Sequence, residues 1–123
     1  MTTLTALVAD DSLSARQQLG EALAQVGFSV TETKDGNDAL KLATSQHFDL
    51  IIVDIYLPKL DGIALIKQLR QLSEYLSTPM LAVTNNKDHG KKKAIREVGA
   101  SGLVRLPIKA ADLKAVLKQL LPG

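Results

Sequence analysis

The chain has no cysteine, which excludes a disulfide framework and any thiolate metal site. A reducing, cytoplasmic compartment is the expected setting. No apolar run approaches the roughly 20 residues that a membrane-spanning helix requires, so no membrane role is expected. Met1-Thr2-Thr3 lacks the basic residues of a signal peptide and reads as a natural start just before the first strand. Charge of one sign is scarce: the net charge is +2, too small to imply nucleic acid. No helix-turn-helix or other nucleic-acid motif follows. A dinucleotide fold wants G-x-G-x-x-G after its first strand, but here that turn reads Asp10-Asp11-Ser12-Leu13-Ser14, and a P-loop occurs nowhere. Carboxylates at such a turn repel a phosphate unless a cation intervenes.

What is present is ordinary globular composition, 46% apolar and 23% charged over 123 residues, which fits one domain, 1–123, with a single core. Strand-like and helix-like segments alternate without a linker or repeat. Leu4 to Ala9, Leu50 to Val53 and Met80 to Val83 are apolar runs suited to strands buried on both faces of a parallel sheet. Phe28 to Thr33 alternates with period two and reads as a strand near a sheet edge, while Gly102 to Leu106 is a fifth strand cut off by Pro107. Between them, Ser12 to Val26 places Leu13, Leu19, Leu23 and Val26 on one helical face, with Ser12 as N-cap and Gly27 as terminator. Gly36 to Ser45 is a short helix. Ile63, Leu65, Ile66, Leu69 and Leu72 follow the Pro58 and Gly62 loop at helical spacing. A polar stretch from Asn85 to Lys93 precedes a helix through Ala94, Ile95 and Val98 that stops at Gly99, and Asp112 to Leu121 closes the chain. The pattern is (βα)5, with helices on both faces of the sheet and right-handed crossovers.

Chemistry gathers where the runs stop. The first ends in Asp10-Asp11, the second in Asp54, and the third is followed by Thr84-Asn85. Open α/β sheets bind ligands outside the carboxyl ends of their strands, so three carboxylates and a hydroxyl are expected at one edge. Like charges at contact distance repel by several kcal/mol at an effective dielectric of about 20. A hard divalent cation with oxygen ligands, such as Mg²⁺, is the natural partner. Singly, Asp10 or Asp11 serves as well to cap the helix that begins near Ser12; it is the convergence with Asp54 that is costly without a ligand. Asp61 suits a turn before Gly62 better than a ligand position, and His47 and His89 have no partner at metal-binding spacing.

Asp10-Asp11, Asp54 with Pro58 and Asp61-Gly62 after it, Thr84, and Gly99-Ala100-Ser101-Gly102 before Pro107 resemble the receiver domains of bacterial two-component response regulators. The stand-alone chemotaxis response regulator is the nearest type, and the resemblance covers essentially the whole chain. It implies a flavodoxin-like, doubly wound, five-stranded parallel sheet of order 2-1-3-4-5. It further implies Asp54 as phospho-acceptor and Mg²⁺ held by Asp11, Asp10, Asp54 and the backbone carbonyl of Tyr56, with Thr84 bonding a phosphoryl oxygen. The phosphoryl donor would be a sensor histidine kinase or histidine phosphotransfer protein. Such a domain is a monomeric switch rather than an enzyme. An aspartyl phosphatase would add a second Asp two residues after the nucleophile, where this chain has Tyr56.

Two positions depart from the pattern. Receivers usually carry Lys before the proline that follows the fifth strand, and an aromatic earlier in that strand; here these are Leu106 and Leu103. Arg105 is expected to point to the opposite side from Leu106, since strand side chains alternate. The resemblance also implies a cis Leu106-Pro107 bond, the isomer that X-Pro permits at about 0.5–1 kcal/mol. The implied partner surface, residues 87–121, displays Lys87, Lys91, Lys92, Lys93 and Arg96 with Leu103, Arg105, Leu106 and Pro107. It is either an attractor for an acidic protein or a solvated helix face. The alternative function is a pseudo-receiver, an interaction module independent of phosphate. The chain stops just after its last helix, so an output domain beyond it stays open.

Overall fold

The computed structural model describes residues 3–84 and 91–121, and the statements below concern these residues. Asn85, Lys87 and His89, singled out above, lie outside them. Five strands, β1 (Leu4–Ala9), β2 (Phe28–Thr33), β3 (Leu50–Asp54), β4 (Met80–Thr84) and β5 (Gly102–Arg105), alternate with five helices. These are α1 (Leu13–Gln25), α2 (Gly36–Ser45), α3 (Gly62–Leu69), α4 (Lys92–Glu97) and α5 (Ala110–Leu120). The sheet is wholly parallel in the order β2-β1-β3-β4-β5, as the resemblance implied.

Period-two alternation sorts the strand side chains into two cores. Leu7, Ala9, Ile51 and Val53 pack with Ala39 of α2, Leu65 and Leu69 of α3 and Ile95 of α4. Ala6, Val8, Leu50 and Ile52 pack on the other face with Leu19 and Leu23 of α1 and Leu113 and Leu117 of α5. The central strands are therefore buried on both faces, which is why their sequence is continuous apolar rather than alternating. Side chains set the helix starts. Ser12 accepts from the Ala15 amide, Asp35 from Asp38 and Asp61 from Ala64. Asp61 is thus a cap, in keeping with its turn reading. Gly27 and Gly99, at φ +96° and +100°, follow α1 and α4 in the left-handed region.

Several boundaries differ from the sequence reading. Leu13, expected on the apolar face of α1, is 59% exposed. It sits in the first turn, past the carboxyl edge of the sheet, where no strand remains to cover it. Helix α3 ends at Leu69, and Leu72 falls outside it, before an unexpected 3-10 turn at Ser73–Tyr75. That turn brings Tyr75 into the core, where its hydroxyl donates to the Ala43 carbonyl at 2.7 Å. Helix α4 begins at Lys92, inside the stretch read as polar loop, because burying Ile95 needs a full turn before it. Strand β5 stops at Arg105, and α5 starts at Ala110, two residues before the expected Asp112, since Ala110 and Ala111 are strong helix formers.

Gly62 stands where α3 meets the end of β3. A Cβ there would collide with the Asp54 carbonyl oxygen and the Ile55 backbone. Gly20, in mid-α1, meets nothing nearer than 3.8 Å. Gly62→Ala should cost about 1–3 kcal/mol from overpacking, whereas Gly20→Ala should gain about 0.5–1 kcal/mol from helix propensity. Urea midpoints moving in opposite directions are the expected outcome. Equal shifts would deny the close approach.

Candidate functional site

Strands β1 and β3 are neighbours, paired Ala9 to Val53, so the chain leaves both together and Asp10 and Asp54 come off side by side. Asp10, Asp11 and Asp54 each offer a carboxylate oxygen, and these oxygens lie within 4.8 Å of one another. With Ser12, Tyr56 and Leu106 they line a cavity of ≈ 160 Å³ at the carboxyl edge of the sheet. Local hydrogen bonds fix the two inner acids. Asp10 Oδ1 accepts from the Ser12 amide at 2.9 Å, and Asp54 Oδ1 accepts from the Tyr56 amide at 3.0 Å. Each is an Asx-turn, the carboxylate bonding the amide two residues on. The Asp10 amide donates to Thr33 of β2 at 3.0 Å. Asp10 is buried, Asp54 half-buried, and Asp11 exposed.

Burial disfavours the charged form of both inner carboxyls and pushes each up to about 6. The neighbouring charge of Asp54 raises Asp10 further, and that of Asp11 raises both. Three carboxylates converging on one cavity are an all-oxygen donor set of the kind that a hard divalent cation takes. Among the described residues, no cationic side chain lines the cavity.

The remaining named residues are placed as follows. Leu106 lines the cavity and is 7% exposed, packed in the core shared with Leu113 and Val104. Its amide donates to the Thr84 carbonyl at 2.8 Å, and the Leu106-Pro107 bond is cis. Thr84 is buried at the end of β4, one residue past Val83, which pairs with Asp54. It is not among the residues lining the cavity. Arg105 is exposed and Leu103 packs in the opposite core, as alternation along β5 requires. Pro107 is exposed. His47 is exposed and stacks on the Tyr75 ring with centroids 5.8 Å apart.

Sequence reasoning missed Arg16. Its guanidinium donates to the Asp10 carbonyl at 2.8 Å and pairs with Glu32 of β2 at 3.2 Å, so a buried cation ties the β1–α1 turn to the neighbouring strand. The available signal was an arginine three residues before Leu19 on the inward face of α1.

Residues 6–118 match the family model of the response regulator receiver domain. The chain belongs to that family. Such receivers are the signalling domains of two-component systems. It is 37% identical over 115 residues to the alkaline phosphatase synthesis transcriptional regulatory protein PhoP of Bacillus subtilis, covering 94% of this chain and 47% of that protein. The receiver therefore spans about half the length of such relatives. Among solved structures it is similar to the Vibrio cholerae chemotaxis protein CheY4, with TM-score 0.90 and 33% identity, covering 98% of this chain and all of that one. The receiver domain of the Pseudomonas aeruginosa sensor histidine kinase PA1611, described with a magnesium ion coordinated in its active-site cleft, aligns with TM-score 0.88 and 26% identity, covering 97% and 98%.

The raised carboxyls set a pH dependence. Between the ordinary value of 3.8 and about 6, the folded receiver binds more protons than the unfolded chain, so stability falls as pH rises through that window. With chelator present, the melting temperature should be higher near pH 5 than near pH 7.5, and Asp54→Asn should flatten the difference. Mg²⁺ at tenfold over its Kd should add about 1.4 kcal/mol, more visibly at the higher pH, where it need not displace the proton. A melting temperature indifferent to both pH and Mg²⁺ would remove the acid cluster as a cation site.

Proposed function

We propose that this receiver accepts a phosphoryl group on Asp54 from a histidine kinase or histidine phosphotransfer protein. The observation that supports this best is the convergence of three carboxylates within 4.8 Å at the ends of two adjacent strands. An Asp54 carboxylate oxygen attacks phosphorus, the bond from phosphorus to the donor nitrogen breaks, and an acyl phosphate results. Asp10, Asp11, Asp54 and the backbone carbonyl of Tyr56 would hold Mg²⁺. Bound there, the ion offsets negative charge on both carboxylate and donor. The Tyr56 amide, bonded to Oδ1, orients the acceptor carboxylate.

Thr84, at the neighbouring strand end, would bond a phosphoryl oxygen. New charge on Asp54 would thereby reach the surface formed by α4, β5 and α5, where residues 103 to 107 and a downstream protein partner would meet. A second reading, a phosphate-independent interaction module, draws on one observation: position 106 offers the site a buried apolar side chain rather than an ammonium.

A small phosphodonor with Mg²⁺ should add one phosphoryl group, seen by intact mass, and Asp54→Asn should abolish it. An unmodified mass under conditions that label an ordinary receiver would favour the second reading.

A further inference from the structure

The acid cavity faces an imbalance that its own lining does not correct. Three carboxylates border it, Leu106 contributes no charge, and phosphorylation of Asp54 would exchange one carboxylate charge for a phosphoryl group carrying roughly two. Among the described residues, the nearby cations are mostly committed elsewhere. Arg16 is bound to the Asp10 carbonyl and Glu32. Lys59 pairs with Asp35 at 3.7 Å. Arg105 lies on the face of β5 away from Leu106. Lys91 differs. It precedes α4, is exposed, caps nothing with its side chain, and sets its Nζ over the Tyr56 ring, 5.5 Å from the centroid.

Tyr56 is no ordinary perch. The residue lines the acid cavity and is 43% exposed, and its amide is bonded to the acceptor carboxylate. An ammonium held on that ring waits at the rim of the site, in a weak cation–π contact rather than a salt bridge. We propose that Lys91, held at the rim by Tyr56, is the cation that bonds the phosphoryl group on Asp54, in place of an ammonium at position 106. The inference rests on the phospho-acceptor reading above. Lysine suits this role because its charge is compact and its four-carbon stem flexible, so it can leave the ring when a stronger anion arrives. A charge-assisted bond to phosphoryl oxygen outweighs the quadrupole of an exposed ring. Lys91 acts as a hydrogen-bond donor only. Tyr56 is then a positioning residue, and the basic run at the start of α4 has one member that serves inside the site.

The test is the rate of phosphoryl addition to the whole chain by phosphoramidate at fixed Mg²⁺, followed by intact mass. Lys91→Ala should slow addition about tenfold or more, the loss of one bond to a charged group, with an unchanged melting temperature. Lys91→Arg should restore most of the rate. In a Leu106→Lys background, Lys91→Ala should cost little, because one ammonium suffices. Equal rates for wild type and Lys91→Ala would overturn the assignment while leaving Asp54 as acceptor. A full loss persisting in the Leu106→Lys background would also overturn it, since Lys91 would then act elsewhere. Wild type that takes no phosphoryl group at all would bring down both this assignment and the acceptor reading. Should Leu106→Lys fail to fold, the Lys91→Ala and Lys91→Arg pair decides alone.

Discussion

Like-charge crowding at the carboxyl edge is the constraint around which this receiver is arranged. Asp10 and Asp54 leave adjacent strands at matching register positions, and Asp11 follows at once. The repulsion does not push them apart because each is anchored by something stronger than one ion pair. Asp10 is tied by its amide to β2, by its carbonyl to Arg16, and by its carboxylate to the Ser12 amide. Asp54 is fixed through Tyr56 and the two-sided packing of β3. A sheet buried on both faces supplies the rigidity, and the burial that supplies it also lifts the carboxyls toward the protonated form. The site is thus a place where the fold gives up stability, as functional sites commonly do.

The departures from the usual receiver pattern are local. At position 106 the backbone keeps its geometry, with its amide on the Thr84 carbonyl, while the side chain joins the core with Val104 and Leu113. At position 103 leucine packs against the core shared with α3 and α4. Both substitutions exchange a polar or aromatic group for aliphatic packing without disturbing strand order.

Much of the fold was legible in the chain. Continuous apolar runs marked β1, β3 and β4 because those strands are covered on both sides, and the alternating Phe28 to Thr33 marked an edge strand. Gly27, Gly99 and the Ser12 cap marked helix ends because each uses backbone chemistry that few residues supply. Less legible were the exposed Leu13, the 3-10 turn around Tyr75 and the start of α4. Each depends on where a distant element ends rather than on local preference.

By itself, the sequence determined the alternation of strands and helices, the placing of acids at strand ends, and the absence of an ammonium at position 106. These are local or periodic properties, and a chain carries them before it folds. The tertiary structure alone decided that Asp10 and Asp54 stand side by side, since that follows from β1 pairing with β3 in a particular register. It alone decided that Arg16 is buried against Asp10 and that Lys91 lies over Tyr56, because such contacts join segments whose separation along the chain says nothing of their separation in space.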